Sequence, residues 1–242
     1  MKSPMGGSKS WTVEELAAVM DHTLLKPDAT AGDIDRLCAE AAEYRMHAVC
    51  VNPVYVSRAA KMLASTPTAV CTVAGFPLGA SRPDTKADEA RRAIEDGASE
   101  IDMVLFIGAL KGGDDAAVRR DLEAVVEVCR AGKALCKVIL ETALLNQAEK
   151  ERACDLCAAA GADFVKTSTG MAGGGATVED VRLLSRRVSA RGVGVKAAGG
   201  IRTRAAALAM LNAGATRIGS SNSVSILRET VAALERDADD EA

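Results

Sequence analysis

Aromatic side chains are nearly missing from this 242-residue chain: one Trp, two Tyr and three Phe make up 2% of it. Their scarcity argues against the stacking platforms that hold single-stranded nucleic acid, and it leaves the core to Ala, Val, Leu, Ile and Met. Histidine is also scarce, with only His22 and His47, so a protein-ligated zinc site lacks its usual ligand supply. No one sign of charge dominates, since 30 basic and 33 acidic residues give a formal charge of -3. No global field therefore draws polyanions, although a small anionic substrate needs only a local positive patch or a nest of backbone N–H groups. No run approaches about 18 consecutive apolar residues, and the opening MKSPMGGSKSW has no apolar stretch of secretory type. Neither nucleic acid nor membrane is expected as a partner, and the cytoplasm is the expected location.

What is present is an ordinary soluble balance, 48% hydrophobic and 26% charged. The seven cysteines lie scattered in apolar segments of a chain long enough to fold without staples, so buried free thiols are expected. Cys154 and Cys157 have CxxC spacing, but DLCAAAG reads as helix interior rather than a redox turn. Residues 1–10 read as a flexible tail, 11–236 as one domain and 237–242 as an acidic tail.

Within the domain one unit recurs. WTVEELAAV is a short helix, with Thr12 and Glu15 at capping-box spacing. Apolar runs of strand type then alternate with amphipathic helices: HAVCVNP, AVCTVAGFPLG, EIDMVLFIG, LCKVILE, ADFVKTS, GVGVKAAGG and ATRIGSSN are the strands after VMDHTL. Gly97, Gly132, Gly161, Gly192 and Gly214 fall where each helix needs a cap. Strand markers at 21, 50, 73, 102, 137, 166, 196 and 219 are separated by 23 to 35 residues, the length of a strand, a helix and two loops. Eight such units predict a TIM (β/α)8 barrel with a short helix before the first strand. An open doubly wound sheet is disfavoured, because no strand runs into GxGxxG or GxxxxGK[ST].

In such a barrel the ligands meet where strands end. Those ends supply Asp21, Cys50 and Asn52, Asp102, Lys137, Lys166, Lys196, and Gly219 with Ser220 and Ser221. A lysine in an otherwise apolar strand must be paired, reach water or serve a reaction. Three lysines and two aspartates at one mouth suit amine catalysis, in which a neighbouring cation favours the free amine and that amine attacks a carbonyl. No metal or other cofactor is needed for that chemistry. A structural salt bridge to Lys137 or Lys196 is the plainer reading of Asp102. AGGIRT and IGSSNS place small residues and free N–H groups after strands seven and eight, the usual phosphate position.

DHTLL, VCVNP, EIDMVLFIGALK, KVILET, GADFVKTSTG with GGGAT, VKAAGGIRT and RIGSS, in order across residues 16–228, resemble the deoxyribose-phosphate aldolases of the shorter bacterial and archaeal type. The resemblance implies a class I aldolase, a carbon–carbon lyase of deoxynucleotide breakdown that reversibly splits 2-deoxy-D-ribose 5-phosphate into acetaldehyde and D-glyceraldehyde 3-phosphate. It implies Lys166 as the Schiff-base lysine, Lys196 as the lysine that perturbs it, and Asp102 as the group managing protons through water. It gives Asp21 and Lys137 supporting roles and puts Cys50 on the substrate path. Gly170, Gly173, Gly174, Gly199, Gly200, Gly219, Ser220 and Ser221 would bind the phosphate, and the assembly would be a homodimer or homotetramer. Two features depart from the family: no tyrosine stands near the C-terminus, and Phe106 replaces a polar residue. Another Schiff-base aldolase acting on a different sugar phosphate is the alternative enzyme, and a phosphosugar-binding scaffold is the alternative outside catalysis.

Overall fold

The computed structural model describes residues 11–240. Helix α1 (Val13–Ala17) begins as its sequence requires: the Thr12 side chain accepts from the Glu15 N–H, and the Glu15 carboxylate accepts from the Thr12 N–H. Eight strands follow, β1 (Met20–Leu24), β2 (Ala48–Val51), β3 (Ala69–Ala74), β4 (Glu100–Val104), β5 (Leu135–Ile139), β6 (Phe164–Lys166), β7 (Gly194–Ala198) and β8 (Arg217–Ser220). They pair in parallel in sequence order and close into a barrel, with β8 against β1. The helices between and after them are α2 (Ala31–Glu43), α3 (Val56–Leu63), α4 (Pro83–Glu95), α5 (Ile107–Gly112), α6 (Asp115–Ala131), α7 (Gln147–Ala160), α8 (Val178–Val188), α9 (Arg204–Asn212) and α10 (Ser223–Asp240). All eight strand markers fall inside strands.

Alternation along each strand separates two interiors. The outward residues, among them Val49, Val51, Ile101, Met103, Val138, Val165, Val195 and Ile218, join the apolar faces of the helices in one large core. Each fully buried Val, Leu or Ile there contributes about 1.5–3 kcal/mol. The inward residues of β2 and β3, Ala48, Cys50, Cys71 and Val73, make a second, small apolar cluster. The inward positions of the remaining strands include Asp21, Glu100, Asp102, Lys137, Lys166, Lys196 and Arg217, which form the site described below. Phe164 lies beneath them, close enough to Gly194 that a Cβ there would come within 2.4 Å of the ring. The Arg217 guanidinium lies 5.2 Å from its centroid.

Three expectations change. The run EIDMVLFIG is not one strand: β4 stops at Val104, and Ile107–Gly112 forms α5. Ile107 donates to the Leu105 carbonyl (2.8 Å) and turns the chain, so two apolar elements had merged in the pattern. LCKVILE also ends early, at Ile139, with Glu141 in the left-handed region (φ 55°). Gly132 closes α6 with φ -84°, while Lys133 takes the left-handed turn (φ 57°). Gly132 is small for a packing reason, since a Cβ there would lie 2.7 Å from Ile94.

All seven cysteines are buried and free, Cys154 and Cys157 inside α7. Among the described residues no helix is long and apolar enough to cross a membrane. The tail expected at 1–10 lies outside the described residues, as do 241 and 242, while the backbone of 237–240 continues α10.

Candidate active site

The strand register assembles the site. Asp102 on β4 pairs with Lys137 on β5, and Lys166 on β6 pairs with Lys196 on β7, so inward side chains from successive strands meet on the axis. Asp102 is the junction. Its Oδ2 accepts from Lys166 Nζ and Lys196 Nζ, each at 2.7 Å, and its Oδ1 accepts from Lys137 Nζ at 2.7 Å and from the Cys71 thiol at 3.2 Å. Lys137 also reaches Glu100 at 2.7 Å and Asp21 at 3.5 Å. Lys196 pairs with Asp21 at 2.5 Å. Arg217 completes the ring, 2.8 Å from Asp21 and 2.9 Å from Glu100.

Burial alone would neutralise these groups, yet the partners outweigh it. Burial pushes Asp102 up, but Lys137, Lys166 and Lys196 hold it well below the ordinary carboxylate range. Glu100 is pushed up by burial as well and is brought down to about 2 by the hydrogen bond with His47, by Lys137 and by Arg217. Asp21 is lowered against its burial by Lys196, Lys137 and Arg217. Lys137 and Lys196 are depressed by burial but end up raised, chiefly through Asp102. Four cationic side chains (Lys137, Lys166, Lys196, Arg217) thus face three carboxylates (Asp21, Glu100, Asp102). Loss of one ammonium proton balances the cluster. Cys50, Cys71 and Asp102 offer donor atoms close enough together for a metal ion. Lys137 already stands among them, 3.1 Å from Cys71 Sγ and 2.7 Å from Asp102, so this set suits an ammonium better than a metal ion.

Above the network a cavity of about 220 Å³ opens at the strand ends. Lys166 lies on its wall, whereas Lys137 and Lys196 do not and are completely buried. The same cavity is lined by Gly170, Gly199, Gly200, Gly219, Ser220 and Ser221 and by the cationic Lys26 and Arg202. A wider groove of about 470 Å³ next to it shares Thr23, Leu24, Lys26 and Ser221 but holds none of the three lysines.

Most of the residues expected from the sequence therefore meet, though not all at the mouth. Asp21, Asp102, Lys137 and Lys196 lie under the cavity, and only Lys166 reaches it. Cys50, expected on the substrate path, is fully buried inside the barrel and is not on the cavity wall, because it faces inward in register with Cys71. Gly173 and Gly174 are off the wall too. Gly174 packs against Ala143, where a Cβ would come within 2.4 Å. Gly219 does line the cavity and also leaves room for the Lys196 stem, which a Cβ would approach to 3.0 Å. Phe106, which replaces a polar residue of the family, packs against the core and is not on the cavity wall. Asn52 turns away and donates to the Lys26 carbonyl, fixing the loop after β1.

Glu100, Arg217, Cys71, Lys26 and Arg202 were missed. Period two would have found the first two, since Glu100 stands two residues before Asp102 and Arg217 two before Gly219, on the same faces.

Comparison with known proteins agrees with this geometry. The family described as DeoC/LacD family aldolase matches residues 16–233. The deoxyribose-phosphate aldolase of Geobacillus sp. (strain WCH70) is 56% identical over 212 residues, covering 88% of this chain and 94% of that protein. Deoxyribose-phosphate aldolase 1 of Bacillus licheniformis is 54% identical over 215 residues, covering 89% and 96%. The tetrameric deoxyribose phosphate aldolase of Aeropyrum pernix superposes with a TM-score of 0.85 at 35% identity, covering 90% of this chain and 91% of that one. With its closed barrel and buried lysine cluster, the chain belongs to the DeoC/LacD family of aldolases and is a carbon–carbon lyase.

Proposed function

We propose that the protein reversibly cleaves 2-deoxy-D-ribose 5-phosphate into acetaldehyde and D-glyceraldehyde 3-phosphate through a Schiff base on Lys166. One observation carries the reading: of the three lysines bound to Asp102, only Lys166 opens onto a cavity, one that is also lined by glycines and serines. Lys137 and Lys196 are held protonated by their carboxylates. Lys166 is the one of the three that substrate can reach.

Lys166 Nζ adds to C1 of the open-chain aldehyde, and loss of water gives the iminium. The C3 hydroxyl loses its proton through a water held by the Asp102 and Lys196 pair. Its oxygen electrons then form the new carbonyl as the C2–C3 bond breaks, and the bond pair moves into the iminium to give an enamine. Protonation of the terminal enamine carbon and addition of water release acetaldehyde and the free amine. The iminium develops beside Asp102, whose orientation is fixed in advance by Lys137 and Cys71, so little reorganisation is needed when charge moves. The phosphate suits the glycine and serine lining, with the cationic Lys26 and Arg202 in the same cavity.

Borohydride reduction in the presence of acetaldehyde tests the assignment. Mass spectrometry should find one ethyl group on Lys166, and turnover of deoxyribose 5-phosphate should be measurable by coupled reduction of the triose product. An ethyl group on Lys137 or Lys196, or an unmodified chain, would sink the reading.

A further inference from the structure

Glu141 is a buried carboxylate that the chemistry above does not use. It is 1% exposed, and among the described residues no cation pairs with it. Its backbone is left-handed, φ 55° and ψ 63°, a conformation that costs a residue with a Cβ about 1–2 kcal/mol. Such strain persists only where the surroundings impose it.

The surroundings are the segment that follows Lys166. Leu140 N–H donates to the Lys166 carbonyl at 2.9 Å, and Thr142 N–H donates to the Thr167 carbonyl at 2.9 Å. Between these two ties the left-handed turn sends the Glu141 side chain to Thr169, whose N–H donates to its Oε2 at 3.2 Å and whose hydroxyl donates to the same oxygen. The Thr169 hydroxyl oxygen in turn accepts from the Met171 N–H at 3.0 Å. Three consecutive residues thus grip 166, 167 and 169, and the last grip shapes the turn through Gly170. Thr169, Gly170 and Met171 are cavity wall. A carboxylate oxygen accepts from both donors of one threonine at once, in charge-assisted bonds that are shorter and stronger than those a neutral amide of the same size would make.

We propose that Glu141 is a positioning residue for catalysis: through Thr169 it sets the 169–171 turn that walls the cavity above Lys166 and orients the phosphate end of the substrate. This inference rests on the phosphorylated-sugar reading. Turnover by the unaltered enzyme tests that reading, and the ratio of variant to unaltered enzyme tests this one.

The experiment is steady-state kinetics on deoxyribose 5-phosphate with Glu141→Ala and Glu141→Gly. Glycine takes the left-handed backbone without strain and keeps the test open if the alanine variant unfolds. Both should raise KM at least about tenfold and change kcat less than about threefold. Borohydride trapping of acetaldehyde on Lys166 should keep its rate, because acetaldehyde has no phosphate end. Thr169→Ser, which keeps the hydroxyl, should raise KM much less than Thr169→Val, which loses it. Thr169→Val should match Glu141→Gly, and the double variant should be no worse than either single one. A folded Glu141→Gly enzyme with unchanged KM, or a double variant whose KM rises by the product of the two single effects, would overturn the proposal. A purely structural role would lower Tm and leave KM where it was.

Discussion

Lys86 on α4 and Lys137 on β5 are both completely buried, yet one faces a single carboxylate and the other faces three. Lys86 donates to Asp121 and to the Val104 carbonyl, each at 2.8 Å, in the helical layer outside the sheet. There burial prevails: it lowers Lys86 and raises Asp121, each toward its neutral form. On the barrel axis the same burial is overridden, with lysines raised and carboxylates lowered. A lone pair in a low-dielectric layer is poorly compensated for lost hydration, whereas seven interlocked charges act as a fixed polar medium for one another. The pair is balanced and closed. The axis holds one cation more than its carboxylates neutralise, and one of its amines opens to a cavity, so chemistry belongs there and not at the pair.

The sharpest way to break this contrast is Lys166→Leu. It removes the surplus cation, so the fold should survive with the circular dichroism spectrum unchanged. Turnover should fall at least about 10⁴-fold, which corresponds to about 5.4 kcal/mol of barrier. An unfolded variant would mean that the axis needs Lys166 for stability, and the distinction between surplus and structural charge would fail.

A smaller effect separates the two regions by pH. Glu100 has its folded pKa lowered to about 2, so the stability it contributes is complete above the unfolded value near 4.5 and disappears as pH falls through about 2. Glutamine imitates the protonated form. Glu100→Gln should therefore cost about 3 kcal/mol at pH 7 and nothing near pH 2. Urea midpoints measured across that range check it, and a cost independent of pH would show that Glu100 acts by shape alone.

How much of this was legible depended on the element carrying the residue. A lysine or aspartate in a short apolar strand violates its surroundings, so Asp102, Lys137, Lys166 and Lys196 stood out, and the spacing of their units specified the barrel. Arg217 and Glu100 were visible in principle by period two, but at strand beginnings they resemble polar flanks. Glu141 looked like the polar end of a strand, because nothing local announces a left-handed turn at a glutamate. The cavity wall was harder still: Gly170 and Gly174 look alike in the sequence, and only tertiary packing puts one on the wall and the other against Ala143. Lys86 and Asp121 were invisible, because charges on amphipathic helices read as solvated faces and their pairing depends on two helices 35 residues apart in the chain.

That last pair provides, in its double exchange, the prediction with the smallest effect. Replacing one partner of a buried pair strands the other charge and costs about 3–5 kcal/mol, whereas replacing both with apolar residues of similar volume is often neutral. Lys86→Met alone should thus lower the urea midpoint strongly, while Lys86→Met combined with Asp121→Leu should return to within about 1–2 kcal/mol of the unaltered protein. The residual cost comes from the Val104 carbonyl, which loses its donor. Methionine also refills the space beside Gly75, where the Lys86 stem now packs closely enough that a Cβ would lie 2.7 Å from Cε. Turnover should change less than about twofold, since neither residue touches the cavity. Lys137→Met combined with Asp102→Leu is the matching exchange on the axis, and there activity should vanish whatever happens to stability, because Lys166 and Lys196 lose the carboxylate they share. If the Lys86 and Asp121 exchange abolished turnover as well, the helical layer would be part of the catalytic machinery, and the division between a closed pair and an open network would have to be redrawn.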